Sequence, residues 1–366
     1  MFKCMHHLLK STAAEHRRSV FTLAAAKIPL SSRGKDQKSK RRKPATSPGF
    51  PPKTKNRSTS RQRKRSPPPN TIPNAQTRPP KEIKQQPLLP EPSIIFSNNH
   101  ILLVKKPAGY HSQPNESIGQ TFSEKCLLSK LKARKLGGGS DKNFLLPMHR
   151  LDQPCTGILL LAKTSKAGTR TGSAFRKHDV QKDYFCVVEG NLDEMMRRSE
   201  CVQKDSGATM YKLSGVMMPS KSKGRTQQSK VGKSVLFKAL DDVKNIGDKR
   251  VCYLEWQHLR NVSGSSSVGI HLVRVVTGTG AKHQIRAMLS QLAKSPVCGD
   301  LRYGASDPLP DRSVALHARS LFLPTVSLGD ADSMKKLRFV APIPKTWNQF
   351  FSLKEGMIPK INYNVK

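Results

Sequence analysis

The stretch MHRLDQPCTGILLLAKTSKA (148–167) holds one carboxylate, Asp152, three residues after His149 and two after Arg150. It is the only acid between Asp141 and Asp179, in a chain of 366 residues with 65 Lys and Arg against 25 Asp and Glu. An Asp beside an Arg reads first as an ion pair or a helix N-cap. Pro147, Pro154 and Gly157 frame it, however, on a turn feeding an apolar run, where a scaffold can present a side chain at the floor of a cleft. A cationic partner there would hold the group ionised. A desolvated carboxylate can act as a nucleophile, or as an electrostatic stabiliser, at a sugar carbon.

Two further groups could do chemistry. GAKHQIRAM (280–288) sets Lys282, His283, Gln284, Ile285 and Arg286 at the start of a predicted helix. Positive charge at a helix start opposes the macrodipole. Either a phosphate or carboxylate offsets it, or the charged side chains turn to water. QKDYFCVVEG (181–190) places Tyr184 near the start of a predicted strand. Such a residue is ordinarily core, but a tyrosine presented at a cleft can stack on a base.

The elements that must position these groups follow from periodicity. SIIFSNNHILLVKKPAGYHSQ (93–113) reads as strand, Asn-Asn turn, strand and Pro-Ala-Gly turn. TFSEKCLLSKLKARKL (121–136) has helical spacing and ends at Gly137. TGILLLAK (156–163) is an apolar strand, and Thr164 caps a helix predicted over 165–180. Residues 182–190 form another strand, and the polar stretch 198–232 reads as an insertion or long loop. SVLFKAL, VCYLEWQHL and GIHLVRVVT give three successive strands. Ile285, Met288, Leu289 and Leu292 then share one face of a helix predicted over 281–296. Strands in consecutive runs with few helices between them favour an α+β fold with mostly antiparallel pairing.

Composition bounds the partners. Residues 1–90 hold 22 Lys and Arg against three acids, or +19, and the remainder holds 43 against 22, or +21. A basic tail alone would leave the rest near neutral, so the folded part is also expected to face a polyanion, with nucleic acid the leading candidate. The seven cysteines form neither a C-x-x-C pair nor a Cys/His cluster at zinc spacing, so neither a metal nor another cofactor is expected. No apolar run approaches membrane-spanning length, and no membrane partner is expected. Basic, acid-poor residues 1–35 read as an organelle transit peptide, pointing to mitochondria. KSKRRK (38–43) and RQRKR (61–65) keep a nuclear location open, and a plastid is the other alternative. Residues 36–92 carry half of the chain's 26 prolines among polar and basic residues, as a solvated arm would. A domain is expected over 93–350 with a tail at 351–366.

MHRLDQPCTGILLLAKTSKA resembles the signature of the RluA-type RNA pseudouridine synthases. VKKPAG, KDYFCVVEG, TGTGAKHQIRAML, VCGDLRYGA and ALHARSLFLP resemble that family's other blocks, in its order and approximate spacing over residues 93–347. The resemblance implies a pseudouridine-synthase-like fold, a mixed, mostly antiparallel sheet with flanking helices and a central cleft. It implies isomerisation of specific uridines in ribosomal or transfer RNA, without metal or cofactor, and a monomer is expected. The catalytic aspartate falls on Asp152, the site tyrosine on Tyr184, and the arginine that pairs with the carboxylate on Arg286. Arg150 matches the arginine that enters the RNA where the flipped uridine leaves, and His149 completes that block. Lys282, His283, Gln284 and Ile285 fall in the block expected to bind substrate. Relatives commonly carry Thr-Ser-Gly where Cys155-Thr156-Gly157 stand, an Arg at the position of Ala281, and His or Gln at that of Met288. These departures keep a second reading open, a non-catalytic RNA-binding or ribosome-assembly protein on the same fold. A glycoside-cleaving enzyme is disfavoured, because that chemistry wants two carboxylates and the motif holds one.

Overall fold

The computed structural model describes residues 89–114, 125–140, 142–204, 207–218, 234–247, 249–262, 269–330 and 335–361. The expected transit peptide and nearly all of the basic arm lie outside the described residues, as do 219–233 of the polar stretch.

Among the described residues twelve strands form one sheet. In chain order they are β1 (Ser93–Ser97), β2 (Ile101–Lys106), β3 (Leu146–Pro147), β4 (Thr156–Ala162), β5 (Gln181–Glu189), β6 (Glu200–Gln203), β7 (Thr209–Met218), β8 (Leu236–Ala239), β9 (Val251–Val262), β10 (Ile270–Val276), β11 (Leu316–Pro324) and β12 (Lys336–Val340). The main path runs β1-β2-β4-β11-β5-β10-β9-β7-β6, with β3 on β4, β8 on β7 and β12 on β11. Every pairing is antiparallel except β4 with β11. Among the described residues five α-helices accompany the sheet: α1 (Leu127–Ala133), α2 (Ser165–Arg176), α3 (Leu192–Arg197), α4 (Gln284–Gln291) and α5 (Thr346–Phe351). The architecture is the α+β fold with mostly antiparallel pairing expected from the strand runs.

Alternation along β2 and β4 explains their burial on both faces. Leu102, Val104, Leu159 and Leu161 pack with Leu127 and Leu131 of α1, whereas Ile101, Leu103, Ile158 and Leu160 pack with Ala174 of α2 and Leu321 of β11. Period-two placement of apolar residues on both faces is what a central strand requires. The largest core lies around α4, whose Ala287, Met288 and Leu289 meet Val187, Val273 and Trp256 of the sheet. Gly157 sits at φ +117°, and a Cβ there would come within 2.4 Å of Ala318 backbone atoms. The parallel β4–β11 contact beside the site therefore needs glycine.

Helix ends differ from the sequence expectation for local reasons. Thr164 Oγ1 accepts from Ala167 N–H at 3.1 Å, as expected of an N-cap, but α2 stops at Arg176 because His178 adopts a left-handed φ of 60°. Helix α4 begins at Gln284, not 281, because His283 is left-handed at φ 54° and Gln284 Oε1 takes the Ala281 N–H at 3.0 Å. Lys282 and His283 thus precede the helix they were expected to open. The stretch read as an insertion or long loop from 198 contains β6 and β7, and Met210, Leu213 and Val216 of β7 are buried. Beyond residue 350, Phe351 and Leu353 are buried and Glu355 hydrogen-bonds Arg319.

Candidate active site

Asp152 opens a turn that closes with Cys155 N–H on the Asp152 carbonyl at 3.1 Å. The turn is pinned from two sides. Ser112 Oγ accepts from Leu151 N–H at 3.0 Å and donates to the Leu151 carbonyl at 2.8 Å. Gly109 N–H reaches the Gln153 carbonyl at 2.9 Å, Gln153 Nε2 returns to the Gly109 carbonyl at 3.0 Å, and Val314 N–H meets the Pro154 carbonyl at 3.1 Å. Beneath lies Lys106, fully buried, whose ammonium donates to the carbonyls of Pro107, Tyr110 and Gln153 at 2.8–3.1 Å. Burial pulls its pKa down to about 8 against the nearby Cys155 and Asp152. Its three donors are matched by three acceptors, which is how a buried ammonium is tolerated. KPAG is therefore a clamp on the residue after Asp152.

Arg286 links two carboxylates. Its Nε and Nη2 donate to the two oxygens of Asp300 at 2.6 and 2.7 Å, and Nη1 donates to Asp152 Oδ2 at 2.9 Å. Burial opposes the charge, yet the Asp300 hydrogen bonds and the surrounding negative groups raise the guanidinium pKa. The two-point grip on Asp300 fixes the plane of the guanidinium, so Nη1 is aimed rather than free to swing. Asp300 side chain is 2% exposed and that of Asp152 16%, so only the latter opens to solvent. His283 Nε2 stands 3.7 Å from Asp152 Oδ1. Burial, reinforced by Arg286 and despite Asp152, lowers the His283 pKa, and the ring is neutral at pH 7.

A cleft of about 1970 Å³ opens over Asp152, with Arg286 and His283 in its wall. Nine Lys and Arg side chains line it against Glu91, Asp152 and Asp311. Of these, Lys125, Arg150, Lys282, Arg302, Arg312 and Lys345 are exposed. A concave, strongly cationic surface with one carboxylate at its floor suits a polyanion whose backbone binds the walls.

Not every expected residue reaches the cleft. His149 turns away, and its Nε2 accepts Leu160 N–H at 3.1 Å while its ring packs 5.8 Å from Phe175. Burial holds its pKa near 3, so it serves as a neutral acceptor within the fold. Gln284 spends its amide on Tyr253, Thr277 and Thr279, shaping the Thr-Gly-Thr-Gly turn. Ile285 is core. Tyr184 packs against two apolar clusters and does not line the cleft, and burial, then Cys155 and Asp152, push its phenol pKa up. Burial pushes the Cys155 thiol up to about 12, so the residue replacing the usual Thr is a neutral, inert neighbour. Sequence reasoning missed Asp300, Lys106, Ser112 and Tyr303. VCGDLRYGA, which contains Asp300 and Tyr303, was visible only as a resemblance block. Among the described residues no group of three or more His, Cys, Asp or Glu could hold a metal ion, and no helix is long and apolar enough to cross a membrane.

The fold is thus a strand-rich α+β domain whose cationic cleft holds one aspartate gripped by a buried arginine, and comparison with known proteins gives the family. The sequence profile described as RNA pseudouridylate synthase matches residues 100–291, just over half of the chain. The chain belongs to this family and is an isomerase acting on RNA. It is 25% identical over 254 residues to the ribosomal large subunit pseudouridine synthase C of Rickettsia prowazekii, covering 69% of this chain and 68% of that one. It is 23% identical to the tRNA pseudouridine synthase C of Haemophilus ducreyi, covering 72% and 95%. To the mitochondrial pseudouridylate synthase RPUSD4 of Xenopus tropicalis it is 24% identical, covering 76% and 82%.

Proposed function

We propose that residues 93–350 isomerise specific uridines of ribosomal or transfer RNA to pseudouridine, with Asp152 as the group acting at the ribose. The observation that carries this is the Arg286 fork, which is fixed on buried Asp300 and delivers Asp152, partly exposed, to the floor of the cationic cleft. In the reaction the N1–C1′ bond breaks, uracil turns, C5 joins C1′, and the proton lost from C5 is balanced by one gained at N1. Extruding the uridine costs a few kcal/mol of stacking and pairing. Arg150, exposed on the cleft wall, is placed to occupy the space left in the RNA. Tyr184, partly buried against two apolar clusters and with its phenol pKa raised, is the residue the resemblance assigns beside the uracil. Ribosomal and transfer RNA are the substrates named for the relatives. A mitochondrial location is supported by one relative's name and by the basic, acid-poor residues 1–35.

The test is transcriptome-wide pseudouridine mapping in cells lacking the protein, restored with wild type or with Asp152→Asn, which keeps the side-chain shape. Sites lost on deletion are expected to return with wild type alone. If Asp152→Asn restores them all, Asp152 is not the acting group, and an unchanged map on deletion leaves only an RNA-binding role.

A further inference from the structure

Arg286 holds Oδ2 of Asp152, and the other oxygen, Oδ1, faces His283 Nε2 at 3.7 Å. His283 occupies the left-handed region at φ 54°, ψ 19° immediately before α4. A non-glycine residue adopts that conformation at a cost, and it persists where surrounding contacts over-determine it. The contact that does so here is with Tyr303, whose hydroxyl lies 2.9 Å from His283 Nδ1 and whose ring meets the imidazole edge-on.

The hydrogen-bond inventory favours one tautomer. The Tyr303 hydroxyl already accepts Val235 N–H at 3.0 Å, and burial raises its pKa so that it keeps its own proton. Donation of that proton to His283 Nδ1 leaves the ring proton on Nε2, facing the carboxylate. The opposite tautomer would set a nitrogen lone pair against a carboxylate oxygen. We propose that His283 is a positioning residue for Asp152, locked by Tyr303 in its Nε2–H tautomer so that Arg286 and His283 each take one carboxylate oxygen. The proposal rests on Asp152 as the acting group. In the free enzyme the 3.7 Å contact is longer than a hydrogen bond. An approach of less than about 1 Å completes it, in the way active-site bonds tighten when substrate seats. The line Val235–Tyr303–His283–Asp152 also ties the strand following the basic 219–233 segment to the carboxylate.

Heteronuclear NMR on the full-length chain labelled at histidine reads the tautomer directly, with His283 assigned by its loss in His283→Gln. The expected result is Nε2–H in wild type and loss of the fixed tautomer in Tyr303→Phe. Kinetics give the second arm. Glutamine sets its amide nitrogen near the Nε2 position and asparagine near Nδ1. His283→Gln is therefore expected to keep at least about tenfold more kcat than His283→Asn, with KM of the two within about twofold. An Nδ1–H tautomer in wild type, or equal kcat in the two variants, overturns the proposal. The NMR result does not depend on which group acts at the ribose, so its failure leaves Asp152 standing. An active Asp152→Asn instead removes Asp152 while leaving the tautomer intact.

Discussion

Among the described residues two arginines grip buried aspartates, and only one of them also reaches a carboxylate that opens on the cleft. Arg274 of β10 donates Nε and Nη2 to Asp183 Oδ2 of the neighbouring β5 at 3.0 and 2.8 Å, while Gln181 takes Oδ1 at 3.0 Å. The Asp183 side chain has no exposure. Arg286 uses the same two nitrogens on Asp300, one to each carboxylate oxygen, and sends its remaining nitrogen to a second carboxylate that opens on the cleft. The first arrangement joins adjacent strands, and its carboxylate is shut off from solvent. The second spends one aspartate on orienting the arginine and uses the arginine to orient another aspartate. Thr156 with His317 belongs to the closed kind, since the imidazole Nδ1 lies 2.7 Å from Thr156 Oγ1 and Nε2 3.3 Å from the Ala341 carbonyl, with His317 fully buried. The difference between framework and site is thus an acceptor left facing solvent, not the residue types or the depth of burial.

Paired substitution tests that distinction with the largest expected effect. Removing one partner of a buried ion pair costs about 3–5 kcal/mol. In Arg286→Met much of that loss is expected to fall on the reaction, lowering kcat/KM by at least about a hundredfold. In Arg274→Met it is expected to fall on stability, seen as a lower urea midpoint, with kcat/KM within about threefold of wild type while the protein is folded. Because Arg286→Met also leaves Asp300 unpaired, rates are compared where circular dichroism shows both variants native. Equal loss of activity in the two folded variants would erase the contrast between closed and open pairs.

Acid probes the closed set next. Burial, against the Ala341 carbonyl, lowers the His317 pKa to about 3, while the unfolded chain protonates it near pH 6.5. Between those values the unfolded state binds a proton that the folded state refuses, so stability falls as pH falls and is full above about pH 6.5. The contribution lost by pH 5.5 is on the order of 1 kcal/mol. His149, buried with a pKa near 3, adds a loss of the same sign. The drop in urea midpoint between pH 7.5 and 5.5 is expected to shrink in His317→Gln. An undiminished drop would mean that His317 is not the neutral framework group described above.

Much of this framework was legible from spacing. The apolar runs 101–104 and 158–161 and the three strands before the Thr-Gly-Thr-Gly turn stand where periodicity put them, because burial of alternating or continuous apolar residues leaves a direct trace. Asp152 and Arg286 were legible as a pair only through resemblance, since their residues lie 134 positions apart. Asp300 left no trace as a site residue, because a carboxylate that orients an arginine from within the core looks in sequence like any acid beside a glycine. The burial of Lys106 has no sequence signal, because its three carbonyl partners are brought together only by the fold. His149 misled for the opposite reason: it adjoins Asp152 in the chain, yet its ring is committed to the Leu160 amide. The start of α4 was misplaced because a left-handed histidine has no sequence signature, and that same backbone feature is what aims His283.

The smallest expected effect concerns the open side of the comparison. Arg302 and Arg312 are exposed on the cleft wall, and neither is part of the Asp152–Arg286–Asp300 cluster. If they contact RNA phosphates, each contributes counterion release, and replacing one by Gln lowers the magnitude of the slope of log affinity against log salt by about 1. The double variant is expected to lose about 2, measured by filter binding of substrate RNA across a salt series. Arg274→Gln, whose guanidinium lies inside the sheet, is expected to leave the slope unchanged. A slope unaltered in the Arg302→Gln/Arg312→Gln protein would take the RNA backbone off this wall. The cleft's positive charge would then act on the carboxylate at its floor rather than on the strand passing over it.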